Sequence, residues 1–189
     1  KKNIWKVNKI KIFSEGSTDD AMLKFKKMEG GLFYMIKNDN LYKSLINEIS
    51  KNKFFRKNLI KKKSFYQDLL KKNKYDLIIN CDANNILSKK FFTKKIDKDY
   101  DSQAYITVLM HKKLENNTAT QIFTKRGPIA FLPISNSKTS IVFSMDTKNR
   151  TYNDSEILNL IKKNNPKYKI QKVLKLNSFK LSSSNLRNY

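Results

Sequence analysis

Residues 100–112 read YDSQAYITVLMHK, a long alternation of polar and apolar side chains with no glycine or proline to interrupt it. Alternation with a period of two is the signature of a strand that shows one face to a core and the other to something wetter. Thr118 to Lys125 follows in the same style. The Gly127, Pro128 pair then marks a turn, and Ile129 to Ile134 and Thr139 to Met145 continue as further strand patterns. Taken in chain order, these segments predict an antiparallel meander. With helical patterns on either side of it, the fold class is α+β, dominated by antiparallel sheet.

Toward the C-terminus, Thr151 or Asn153 opens a helix with Ile157, Leu160 and Ile161 on one side. Pro166 closes the connection, and Tyr168 to Leu181 returns to strand. Toward the N-terminus, Ile4 to Phe13 alternates imperfectly, Ser14 to Asp20 carries turn chemistry and Met22 to Met28 returns, which predicts a hairpin. Gly30 and Gly31 punctuate, Leu32 to Ile36 is a short apolar run, and Asn38 or Asp39 caps a helix bearing Leu41, Leu45, Ile46 and Ile49. Phe54 to Leu70 reads equally as strand or helix. Tyr75 to Cys81 is apolar on both faces, the pattern of a buried strand, and it is expected in a layer separate from the meander. It stops at Asp82, Ala83, Asn84 and Asn85, and Ile86 to Phe92 reads as a short helix.

Charge narrows the function classes. The 189 residues carry a formal charge of +24, from 40 basic and 16 acidic side chains. A polyanion is the first partner to consider. Arginine is scarce, however, confined to Arg56, Arg126, Arg150 and Arg187, and the lysines run along the whole chain. Nucleic-acid readers lean on the arginine fork, so specific base reading is not expected. The rival reading is a basic nucleic-acid-binding module with no enzymatic activity, built on Phe54, Phe55, Arg56 and the lysines around Lys61. The lone Cys81 excludes an intrachain disulfide and a multi-cysteine zinc site, and the lone His111 excludes histidine-rich metal ligation. No apolar run approaches membrane-spanning length. The start, Lys1-Lys2-Asn3-Ile4-Trp5, has no initiator Met and no signal-peptide pattern, and is expected to be a cut end.

The chemistry-bearing segments are Asp76-Leu77-Ile78-Ile79-Asn80-Cys81-Asp82-Ala83-Asn84-Asn85 and Gln121-Ile122-Phe123-Thr124-Lys125-Arg126-Gly127-Pro128-Ile129-Ala130-Phe131-Leu132-Pro133-Ile134, with Asp99-Tyr100 and Gln103-Ala104 between them. In that order and spacing they resemble the central part of the flavoprotein hydroxylases that oxidise polyprenylated phenols in ubiquinone biosynthesis, relatives of para-hydroxybenzoate hydroxylase. That family has a strand ending in Gly-Ala-Asp-Gly, then Asp-Tyr and Gln-Ala, then Phe-Thr-x-x-Gly-Pro-x-Ala-x-Leu-Pro. Met35-Ile36-Lys37-Asn38 resembles the family's strand-to-helix entry, and Phe179-Lys180-Leu181 to Tyr189 the approach to its Gly-Asp flavin motif. This chain departs from the pattern at Asn80 and Ala83, which replace two glycines, at Ile86 for serine and at Lys89 for arginine.

The resemblance implies a division of the chain. Residues 1–36 and 96–181 would belong to a substrate-binding sheet, 37–95 largely to an incomplete FAD-binding domain, and 182–189 to the approach to the flavin motif. It implies Asp82, Ala83 and Asn38 beside FAD, and Gly127, Pro128, Phe131, Leu132 and Pro133 beside a polyprenylated phenol. No catalytic side chain and no metal ligand is implied. For Asp82 the ordinary reading as a helix cap stands beside the functional one, as does a plain turn for Gly127 and Pro128. In such a family the cofactor performs the oxidation, with NAD(P)H as electron donor, and the protein positions and shields it. The resemblance further implies a cytoplasmic protein at a membrane surface, working with other ubiquinone-biosynthesis proteins. The glycines Gly16, Gly30, Gly31 and Gly127 compose no GxGxxG turn, so this chain is not expected to hold FAD unaided.

Overall fold

The computed structural model describes residues 4–17, 20–27, 30–58, 64–71, 75–82, 85–92, 94–148 and 150–186. The chain divides into two units, one of residues 1–44 and 99–182, the other of residues 45–98 and 183–189. Elements follow in the order β1 (Ile4–Val7), β2 (Lys9–Ser14), β3 (Leu23–Lys26), β4 (Phe33–Ile36), α1 (Asn38–Ile49), α2 (Ser64–Leu69) and α3 (Ile86–Phe91). Then come β5 (Lys95–His111), β6 (Thr118–Thr124), β7 (Gly127–Ser135), β8 (Lys138–Asp146), α4 (Asp154–Lys163), β9 (Ile170–Val173) and β10 (Asn177–Leu186). The protein is mostly sheet with few helices.

The sheet order is β10-β5-β8-β7-β6-β2-β3, with β9 also pairing β5. β6, β7 and β8 are joined by tight turns at Lys125–Arg126 and Asn136–Ser137 and form a true meander. The strand that opened the predicted meander does not join it at β6. β5 pairs antiparallel with β8, while β6 takes β2 as a parallel neighbour. Residues 112–117 form a six-residue connection rather than a two-residue turn and cross over, giving a Greek-key order. Ile4 to Phe13 also divides, at Asn8: β1 pairs with β4 in a separate two-stranded ribbon that packs on β7, while β2 joins the large sheet. The predicted β2–β3 hairpin forms; Met28 lies outside the described residues.

Strand alternation builds the core. Tyr105, Leu109, Ile129, Phe131, Ile141, Phe143 and Met145 all fall on one sheet face, where Ile157 and Ile161 of α4 and Tyr168 seal them. Helix α4 forms where expected, because Asn153 accepts from the Glu156 amide and the Glu156 carboxylate accepts from the Asn153 amide. The other face carries Ala130, Leu132 and Ile134 of β7 and Ile106, Val108 and Met110 of β5. All are only partly covered, although none is charged.

In the second unit, the expected strand at Tyr75 to Cys81 is not a strand. Leu77 and Ile79 are 75% and 77% exposed. A doubly apolar strand needs strands beside it and a layer packed on each face, and among the described residues no strand pairs with this run. Tyr168 to Leu181 is likewise not continuous, being broken between Val173 and Asn177. No helix of the described residues is long and apolar enough to cross a membrane.

Candidate functional site: a cleft on the open face of the sheet

The open face of the first unit's sheet becomes a cleft where the β1–β4 ribbon overhangs it. The floor is Val108, Ile134 and Leu174; the wall is Ile4, Trp5, Met35 and Ile36; Lys37, Asn40, Ser135, Ser137 and Lys138 complete the lining. Its volume is about 550 Å³. That lies within the range of sites for small organic ligands, which are mostly apolar with a few polar groups to orient the guest. The lining contains no His, Cys, Asp or Glu. Its titratable side chains are the lysines Lys37 and Lys138, with no carboxylate or imidazole to pair with them.

A buried polar cluster fixes the wall. The Trp5 indole Nε1 donates to the Asn116 carbonyl at 2.7 Å. Asn116 is fully buried; its side-chain amide donates to the Ser135 carbonyl at 2.8 Å and the Thr139 hydroxyl at 2.9 Å, and its oxygen accepts from the Tyr168 hydroxyl at 3.1 Å. His111 Nδ1 stands 2.9 Å from the Lys112 carbonyl, which can only accept, so Nδ1 carries the proton. Nε2 stands 3.0 Å from the Thr139 hydroxyl. Burial pushes the Tyr168 phenol up from its ordinary range, partly opposed by a hydrogen bond with Thr139. His111 is thus a structural member of this cluster, 1% exposed, with its ring 4.6 Å from the Tyr168 ring and tilted 39° to it.

The residues implied as substrate contacts are dispersed by the alternation of β7. Leu132 lies on the open face. Phe131 is fully buried on the other side, 6.0 Å from the Tyr168 ring, and Pro133 is buried beside it. Adjacent residues of a strand point to opposite faces, so Phe131 and Leu132 cannot line one pocket together. Gly127 and Pro128 line a different cleft of about 490 Å³, at the β6–β7 turn, with Lys125, Arg126 and Tyr100. Gly127 has φ +128°, and a Cβ there would stand 2.2 Å from the Ser144 carbonyl oxygen; close packing on β8 accounts for this glycine.

The residues implied beside the cofactor fare differently. Asn38 is exposed at the first turn of α1, between Lys37 and Asn40 of the cleft lining. In the second unit Asp82 is exposed, and its carbonyl accepts from the Ser88 hydroxyl at 2.5 Å. Asn80 and Asn85 exchange amide hydrogen bonds, and Asn85 caps α3 by accepting from the Ser88 amide at 2.9 Å. The cap is therefore Asn85, not Asp82. Ala83 lies outside the described residues. Sequence reading missed Trp5, Val108 and Leu174, because only the folded ribbon brings them together. Met35 and Ile36 were legible as a strand end but not as a wall.

A dinucleotide needs backbone donors at a glycine-rich helix start. Among the described residues the helices of more than two turns open on Asn38 and Asp154, and the start of α4 is closed by its own capping box. Of the left-handed glycines, Gly16 and Gly30 lie in connections between strands and Gly127 opens β7; none opens a helix. The described residues thus do not by themselves fit a flavin dinucleotide. No three of His, Cys, Asp or Glu cluster as metal ligands among them.

No protein-family model matches the chain. Over 70 residues, 36% of its length, it is 36% identical to the mitochondrial ubiquinone biosynthesis monooxygenase COQ6 of Danio rerio, of which the match spans 14%. Among solved structures, the tetracycline destructase Tet(51) aligns over 96% of this chain and 53% of that chain, with 12% identity and a TM-score of 0.48. The chain is therefore similar in sequence to a short part of a ubiquinone-biosynthesis monooxygenase and spans about half the length of the solved structure it matches.

Proposed function

We propose that this chain supplies the substrate-covering sheet of an aromatic-ring monooxygenase acting on a polyprenylated phenol, with a flavin held mainly by residues other than those described. The observation that carries the reading is the open-face cleft. It is apolar on floor and wall, polar along part of its lining, and without any acid–base pair. Such a site suits a reaction whose hard step belongs to a cofactor while the protein binds, orients and excludes water. The phenol ring and the first part of its prenyl chain would lie on Val108, Ile134 and Leu174, with the hydroxyl toward Ser135, Ser137 or Lys138. Leu132, on the same face, extends the apolar surface. The sequence likeness to the COQ6 monooxygenase supports this choice of substrate class. Association with other proteins of that biosynthesis belongs to the same proposal.

Trp5 is the only tryptophan and stands in the cleft wall, so its fluorescence reports on occupancy without any flavin. Titration with a short-chain prenylated phenol is expected to change Trp5 emission saturably, and Ile134→Glu to weaken the change by about tenfold or more through a buried charge. A response identical in wild type and Ile134→Glu would sink the assignment of this cleft.

A further inference from the structure

The register of the β2–β3 hairpin sets Lys9 opposite Lys26 and Lys11 opposite Lys24. Directly opposed like charges destabilise an antiparallel pair, and residues two apart share a face, so these lysines all rise from one side. On that face the neighbouring strand carries Thr118 and Thr120 beside Lys9 and Lys11, so lysine is not forced by the strand pattern. Lys167 joins them from the segment after α4. Its ammonium is pushed below the ordinary lysine range, first by partial burial and next by Lys11, with Glu115 opposing and Lys9 adding to the fall. Asp20, 3.1 Å from Lys24, and Glu115 offset only part of the charge. The opposite face of the same hairpin pairs Ile10 with Phe25 and Ile12 with Leu23, and Leu23 and Phe25 are 53% and 47% exposed. Among the described residues β3 is the last strand of the sheet, and no further strand covers it.

We infer that this amphipathic edge hairpin is a docking surface for an anionic bilayer, with its lysine face satisfied by lipid phosphates and Leu23 and Phe25 set against the acyl boundary. Long lysine stems reach headgroups while apolar neighbours sit deeper, and each cation near an anionic leaflet adds to the attraction. Charge complementarity alone would also admit a nucleic acid. The cationic face argues for lipid, because it holds point-charge lysines with no arginine fork, and neither aromatic ring of the hairpin can stack with a base bound to the lysines: Phe13 is buried in the core and Phe25 lies on the opposite face. The inference deepens the proposed function and rests on it for the reason a bilayer matters, a prenylated substrate. The two fail separately, since vesicle binding is read without substrate or flavin.

The test is flotation of the chain with vesicles of phosphatidylcholine alone or mixed with phosphatidylglycerol. In the double variant Lys24→Glu, Lys26→Glu both like-charge pairs become opposite-charge pairs, so the hairpin is strengthened while its cationic face is neutralised. Binding to the mixed vesicles is expected to fall by about tenfold or more, with an unchanged or higher melting temperature. The equal charge change in Lys43→Glu, Lys53→Glu is expected to cost only about twofold, because neither residue belongs to the hairpin. Equal losses in the two variants would overturn the inference in favour of diffuse charge. So would equal binding of the wild type to both vesicle types. Loss of single-stranded oligonucleotide binding with vesicle binding retained in the hairpin variant would overturn it in favour of a nucleic acid.

Discussion

A methyl group on Gly127 would stand 2.2 Å from the Ser144 carbonyl oxygen, on a backbone already at φ +128°. Gly127→Ala must move β7 off β8 or distort both, and is expected to cost about 3 kcal/mol, combining overpacking with left-handed strain. Gly16 has φ +84° but open space around it, so Gly16→Ala is expected to cost only about 1 kcal/mol. Denaturant unfolding of the two variants measures the difference, and equal losses would show that crowding at Ser144 is relieved cheaply. Tyr168 offers a second test. Its phenol is raised by burial, so the folded protein keeps a proton that the unfolded chain releases near the ordinary tyrosine value. Its contribution is fully present below that value and is lost as pH rises through the folded-state one. Tyr168→Phe removes the bond to the Asn116 side-chain oxygen and is expected to cost about 1 to 2 kcal/mol near neutral pH, with a shallower fall in stability at alkaline pH. A variant whose alkaline profile matches the wild type would show that Tyr168 does not govern it.

Helix α4 and strand β7 show how far local pattern carries. Asn153 was legible as the start of a helix because its cap is a property of adjacent residues, and Asn153→Ala is expected to destabilise the protein by about 1 kcal/mol in thermal unfolding. Ile161→Ala, which removes a fully buried side chain from the seal over the sheet, is expected to cost about 2 to 5 kcal/mol. The same locality explains what failed. Alternation placed Phe131 and Leu132 on opposite faces, and the family motif, read as a string, hid that. The neighbour of β5 depended on how residues 112–117 cross, a long-range choice. Tyr75 to Cys81 had the composition of a buried strand, but pairing is a property of two segments, and no described segment supplies the second. The cleft was least legible of all. Trp5, Met35, Val108, Ile134 and Leu174 lie far apart in the chain and meet only because β1–β4 lies across β7.

At the scale of the whole molecule, the question is whether the chain can hold the cofactor that its proposed chemistry requires. A dinucleotide is held by its phosphates, and phosphates are held by backbone amides at a glycine-rich turn opening a helix, where the helix dipole favours negative charge. Here none of the left-handed glycines opens a helix, the start of α4 is closed by the reciprocal bonds of Asn153 and Glu156, and Asn85 caps α3. The excess of lysine does not replace such a cradle. Point charges on flexible stems attract a diphosphate anywhere along the chain without fixing a ring in place. The chain alone is therefore expected to bind FAD weakly, in a salt-sensitive way, and to turn over no NADPH above the free-flavin background. Purification with excess FAD, followed by desalting at moderate salt and a visible spectrum, checks this directly. Stoichiometric flavin absorbance that survives the salt would show that the open-face cleft, or residues outside the described ones, forms a cofactor site that the glycine argument misses. Absent that absorbance, saturable Trp5 quenching by a prenylated phenol would still identify this chain as the substrate side of the reaction, since that cleft needs no phosphate contact to form.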